Sequence, residues 1–85
     1  MVKVYALTTC PYCKKVKKFL EENGVDFEIV YLDELSGEER EKVVKEVHEL
    51  TGMYAVPVTV HGDKVIVGYN ESELKKLVEE LKGDA

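Results

Sequence analysis

Apolar positions change their period several times along the chain. Val2 to Leu7 (Val-Lys-Val-Tyr-Ala-Leu) is short, rich in branched side chains and followed by Thr8 and Thr9, which predicts a buried strand running into a loop. From Pro11 to Asn23 the residues Val16, Phe19 and Leu20 stand at i, i+3 and i+4 among lysines and glutamates, and Gly24 follows as a stop. That spacing predicts an amphipathic helix. Phe27, Ile29 and Tyr31 alternate with Glu28 and Val30, the pattern of a second strand with one apolar face. Ser36 with Glu39 three residues on predicts a capping box, in which each side chain satisfies an orphan backbone donor of a second helix. The buried stripe of that helix is Val43, Val44, Val47 and Leu50, and Thr51-Gly52 ends it. Val56 to Val60 and Lys64 to Val67 flank His61-Gly62-Asp63 and predict a hairpin. Asn70 with Glu73 repeats the capping logic before Leu74, Leu77, Val78 and Leu81, the apolar face of a last helix stopping near Gly83.

The resulting order is βαβαββα. A strand, helix, strand opening implies a right-handed crossover and a parallel pair, and the hairpin adds antiparallel pairing. The fold class is therefore α/β, with a four-stranded mixed sheet and helices on both faces. A length of 85 residues predicts a single domain spanning 1–85. At 45% hydrophobic and 34% charged residues the composition is that of a folded chain. Apolar runs reach four residues, as in Val4 to Leu7, against the roughly 20 that span a bilayer. No signal-peptide pattern opens the chain, so no membrane association and a cytoplasmic location are expected. A net charge of -5 argues against nucleic acid, whose phosphates require clustered cations. One local exception follows the cysteines: Lys14, Lys15, Lys17 and Lys18. The run reads as a solvated helix face, or, for Lys14 and Lys15, as electrostatic support for a thiolate or attraction for acidic partners.

Cys10 and Cys13 stand three apart, so a bond between them closes a tiny loop and removes little entropy from the unfolded chain. Such a pair suits chemistry better than stapling. The stretch Thr9-Cys10-Pro11-Tyr12-Cys13 lies at the junction of the first strand and helix, which puts Cys10 at the positive end of a helix dipole. Free cysteine has a pKa of about 8.5, but values of roughly 3.5 to 7.5 occur at helix N-termini and in C-x-x-C pairs. Cys10 is the predicted nucleophile, Pro11 fits the first helical position, and Cys13 one turn on is the predicted resolving thiol. Alternatives are an inert or structural pair and a zinc half-site. For zinc, His48 and His61 are separated by twelve residues, where a finger takes about three to five. No metal is expected. Val56-Pro57 opens a strand, which is where a cis peptide bond is expected. Such a turn would offer the Val56 backbone to an extended substrate as an added strand.

Together, Cys10-Pro11-Tyr12-Cys13, Val56-Pro57 and Gly68-Tyr69, in this element order, resemble the glutaredoxin family over essentially the whole chain. The resemblance implies a thioredoxin-like fold and a thiol-disulfide oxidoreductase. It also implies that Cys10 attacks, that Val56 pairs with the substrate backbone beside Pro57, and that Gly68 with Tyr69 and Asn70 forms the turn holding one end of glutathione. Thr8 is expected to donate its hydroxyl to the Cys10 sulfur or to a backbone group, and Tyr12 to shield the substrate. Two departures bear on the reductant. Glutathione-using members usually carry lysine three residues before the first cysteine, where this chain has Leu7. Their last turn commonly reads Gly-Gly and then Asp, where this chain has Gly68-Tyr69-Asn70-Glu71-Ser72. A glycine-aromatic turn is similar to the glutaredoxin-like hydrogen donors of ribonucleotide reductase, which thioredoxin reductase reduces, although those usually lack Pro-Tyr between the cysteines. The expectation is a monomeric redoxin whose only redox group is the Cys10–Cys13 pair. Thioredoxin reductase, or glutathione as co-substrate, would reduce it, and disulfide-containing proteins such as ribonucleotide reductase would be its targets. The alternative is a non-catalytic module holding an extended peptide or an iron–sulfur cluster in the same groove.

Overall fold

The computed structural model describes residues 2–83. Strands β1 (Val2–Ala6), β2 (Phe27–Tyr31), β3 (Val58–His61) and β4 (Lys64–Val67) alternate with helices α1 (Pro11–Glu22), α2 (Gly37–Thr51) and α3 (Glu71–Gly83) in the expected order. A 3-10 turn, Leu32–Glu34, leaves the end of β2. The sheet runs β2-β1-β3-β4. β1 lies parallel to β2, from Val2 opposite Phe27 to Ala6 opposite Tyr31, and the β1–β3 and β3–β4 pairs are antiparallel.

Side chains alternate across a strand, so β1 feeds two cores. Val2, Val4 and Ala6 point to one face, where Val16 and Leu20 of α1, Ile66 of β4, and Leu74 and Leu77 of α3 meet them. Tyr5 points to the other, with Val58, Leu32 and Val47 of α2. Two helices thus share one face and α2 covers the second. Burying each such aliphatic side chain stabilises the fold by about 1.5–3 kcal/mol.

Several element ends differ from the sequence expectation. β1 stops at Ala6, leaving Leu7 in the following turn, and β3 begins at Val58 because Pro57 has no N–H to give to a ladder. The Asn70 cap forms: its Oδ1 accepts the Glu73 N–H at 3.2 Å. The Ser36–Glu39 capping box does not. Ser36 holds the N-cap position in extended conformation, but its hydroxyl accepts no backbone N–H. Gly37 opens α2 at φ +59, a left-handed turn available chiefly to glycine, and this carries the chain in at an angle that takes the hydroxyl off the helix end. Leu50, expected in the buried stripe, is 44% exposed, because the second core under α2 ends at Val47.

Candidate functional site

At the end of β1 the chain turns once, with the Cys10 N–H donating to the Leu7 carbonyl at 3.2 Å, and then enters α1. Cys10 is the helix N-cap, in extended conformation, and Pro11 takes the first helical position. The Cys13 N–H donates to the Cys10 Sγ at 3.3 Å, so a sulfur occupies the place where Ser or Asp normally caps a helix. Both thiols are free. Cys10 is half-buried and Cys13 is 1% exposed. Burial pushes the Cys13 thiol up to about 12, helped by its hydrogen bond with the Cys10 sulfur and opposed by a backbone hydrogen bond at Leu7. At neutral pH Cys13 is therefore a buried, protonated thiol one helical turn from the accessible one.

Thr8 does not reach the Cys10 sulfur. Its backbone N–H donates to the Asp33 carboxylate at 3.1 Å, and its hydroxyl donates to the same carboxylate in a short bond. The Thr8 hydroxyl, and then the Thr8 N–H, hold the Asp33 carboxyl below the usual range. The sequence reading missed Asp33 as a site residue. The signal for it was the sheet register: β1 and β2 run parallel with Ala6 opposite Tyr31, so continuing two residues past each strand places Thr8 beside Asp33. The loop before Cys10 is thereby tied to the end of β2.

The Val56-Pro57 peptide bond is cis, as expected. Val56 sits where the two cores meet, and Pro57 is buried. Among the described residues, no backbone partner takes the Val56 N–H or C=O. The Gly68 N–H donates to the Pro57 carbonyl at 2.7 Å. Gly68 has φ +77, so a side chain there would strain the turn that joins the proline to α3. Tyr69 lies half-buried against the core that Cys10, Cys13 and Val56 also touch. Tyr12 is 56% exposed. The Lys15 Nζ lies 5.2 Å from the Tyr12 ring centre and 6.0 Å from that of Tyr69. The Asn70 side chain is occupied by its capping bond.

On the other side of Val56 an apolar pocket of about 150 Å3 is lined by Leu7, Val44, Val47 and Tyr54 among others. The two histidines weighed for zinc stand elsewhere, His48 stacked on Tyr54 with ring centres 4.5 Å apart and His61 opposite Lys64 in the hairpin. The fold thus brings the thiol pair, the cis-proline and the Gly68 turn to one end of the sheet. An accessible thiol over a buried one, beside a strand end with unpaired backbone groups, can exchange disulfides with an extended peptide.

A family profile described as Glutaredoxin matches residues 2–66. A glutaredoxin-like 8.6 kDa protein of the rubredoxin operon of Clostridium pasteurianum is 38% identical over 93% of this chain and 99% of its own length. The glutaredoxin-like protein NrdH of Lactococcus lactis is 39% identical over 91% of this chain and 99% of its own. Among solved structures, the glutaredoxin of Archaeoglobus fulgidus superposes with a TM-score of 0.88 at 53% identity, covering 91% of this chain and 84% of that one.

Proposed function

The chain belongs to the glutaredoxin family, with its thioredoxin-like fold and thiol-disulfide redox chemistry, and from that premise we propose a dithiol mechanism in which Cys10 attacks and Cys13 resolves. The observation that carries this reading is the pairing of an accessible Cys10 sulfur at the α1 N-cap with a buried Cys13 whose thiol is pushed up to about 12. Only a thiolate attacks a disulfide, so the protonated, buried thiol cannot be the first nucleophile.

The Cys10 thiolate forms a bond to one sulfur of the target, and the other target sulfur leaves with the electron pair of the broken disulfide. In the mixed disulfide Cys10 no longer offers a free thiolate to the Cys13 S–H, so one cause of the raised Cys13 pKa is lost. Cys13 gives its proton to the departing thiolate and attacks the Cys10 Sγ. The remaining target sulfur leaves as a thiolate and takes a proton from solvent. The target gains two electrons and two protons in all, and the Cys10–Cys13 disulfide holds the oxidation. Val56 would pair its free N–H and C=O with the target backbone beside Pro57. Tyr12 forms the exposed rim, and Thr8, held by Asp33, sets the loop before Cys10.

The reductant we propose is a thioredoxin reductase in place of glutathione. Leu7 supports this, lining an apolar pocket where a lysine would meet a carboxylate, as does Tyr69, which fills the turn before α3. The targets would be protein disulfides, ribonucleotide reductase among them. Reduction of the oxidised protein by glutathione, set beside NADPH plus thioredoxin reductase and followed by mass spectrometry of the thiols, tests both parts. Reduction by the reductase alone is expected. A fast mixed disulfide between glutathione and Cys10 would refute the choice of reductant.

A further inference from the structure

Charge is distributed over the three helices by two different rules. Acids favour a helix N-terminus because backbone N–H groups leave it partly positive. α2 follows this with Glu38 and Glu39 in its first turn, and α3 with Glu71 and Glu73. The first turn of α1 holds no acid, and Lys14, Lys15, Lys17 and Lys18 follow directly. Lys14 and Lys15 lie just past the first turn, nearest the end of the helix where a cation is least favoured, and Lys17 and Lys18 lie further along. Of these four lysines, among the described residues, Lys18 alone makes an ion pair, an exposed one with Glu22 at 3.8 Å. Lys75, by contrast, pairs with Glu71, and Lys64 with both Glu73 and Glu80.

The lysines also converge on the thiols. Lys14, Lys17 and Lys18 line an open groove of about 500 Å3 that reaches Cys13 and Thr8. Lys15 stands between Tyr12 and Tyr69 on the opposite flank of α1, and a cation within about 6 Å of an aromatic face is attracted to it. Glu21 lines the same groove and the Asp33 carboxylate lies on Thr8 at its edge, so the thiols are met by a lysine-rich α1 flank with acids at its margins, in a chain whose net charge is -5.

We propose that the α1 lysine face is a docking surface for an acidic protein segment that flanks the target disulfide and is delivered by it to Cys10. The inference rests on the disulfide-exchange reading above and names the substrate class of that site. A protein segment fits better than nucleic acid, because the basic area is confined to one helix while the rest of the surface repels a long polyanion. The contact acts on encounter rate, as rim charges do.

The test uses three synthetic peptides, each with one cysteine in mixed disulfide with thionitrobenzoate and flanked by four glutamates, four glutamines or four lysines. Attack by Cys10 on the peptide sulfur expels coloured thionitrobenzoate, which bears the same charge in all three. The expected glutamate-to-glutamine rate ratio is about tenfold at low salt, in the range of electrostatic steering. It collapses at 1 M salt, where screening acts within about 3 Å. In a Lys14→Gln/Lys17→Gln double variant the ratio drops to about threefold or less, the range expected once half the charges are gone. Because it is a ratio, any change in Cys10 reactivity cancels. Equal rates, a faster lysine peptide as the net charge of the whole chain would dictate, or an unaltered ratio in the double variant each overturn the proposal. So does tight binding of a single-stranded oligonucleotide to this face without a peptide preference. No reaction with the glutamine peptide overturns the disulfide-exchange reading itself, and this proposal with it, whereas reaction without charge preference overturns this proposal alone.

Discussion

α1 and α3 lie side by side on one face of the sheet and bury similar side chains, yet they begin in opposite ways. α3 opens as helix energetics favour, with Asn70 accepting the Glu73 N–H and two glutamates in the first turn. α1 opens on a sulfur cap, a proline and a run of lysines. Their inner faces are alike because both must exclude water: Val16 and Leu20 on α1 are as completely buried as Leu74 and Leu77 on α3. The departure lies in the thiol-bearing first turn and in the lysines that follow it. Stability is thus supplied by the shared core, and the α1 start is free to hold groups chosen for reactivity and recognition.

The contrast is tested most severely at Cys10. Cys10→Ser should reduce disulfide turnover to the uncatalysed background in an insulin-reduction assay while the fold melts normally, and residual turnover would deny Cys10 the nucleophilic role. The shared core comes next. Leu20→Ala and Leu74→Ala should each lower stability by about 2–5 kcal/mol in urea unfolding, the range for large-to-small changes at fully buried sites. Unequal losses beyond that range would show that the two helices do not rely on the core alike.

Alkali should weaken the reduced protein through Cys13. That thiol ordinarily ionises at 9.0 and in the fold at about 12, so between these values the folded chain keeps a proton that the unfolded chain has released. The contribution is complete below pH 9.0 and is lost as pH rises through about 12. In Cys13→Ala the fall of Tm over the alkaline range should be shallower than in the parent, and parallel curves would deny that Cys13 is held protonated. Smaller effects are expected at the helix starts. Asn70→Ala should cost about 1 kcal/mol, the ordinary worth of an N-cap. Lys14→Glu, measured by the same unfolding curves, should raise stability by about 0.3 kcal/mol, the low end for a charge near a helix terminus. A loss there would mean the α1 lysines stabilise the fold after all.

Much of this was legible in the chain. Sequence pattern located the four strands and three helices, though not the 3-10 turn Leu32–Glu34, and the Asn70 cap, the cis Val56-Pro57 bond and the thiol pair at a strand-to-helix junction were each readable from neighbouring residues. Ser36 shows how a local signal fails: the right residue types stand at the right spacing, but Gly37 turns the backbone away before the bond can form. Leu50 shows another limit. Its position continues the apolar stripe, while its exposure depends on whether the sheet extends beneath the last turn of α2. Asp33 was missed because its partner Thr8 lies 25 residues away.

The sequence by itself determined the order of strands and helices and the two cysteines one helical turn apart, because each depends on spacing within a few residues, and the family, because three short motifs stand in that order along the chain. Tertiary structure decided which groups surround those cysteines. The parallel register brought Asp33 to Thr8, and the Gly68 turn placed Tyr69 across Lys15 from Tyr12. Two helices closing over one face of the sheet sealed Cys13 from water while leaving Cys10 accessible. Solvent exclusion and long-range contact are collective properties of packed elements, so the difference between two chemically identical thiols arises only once the elements are assembled.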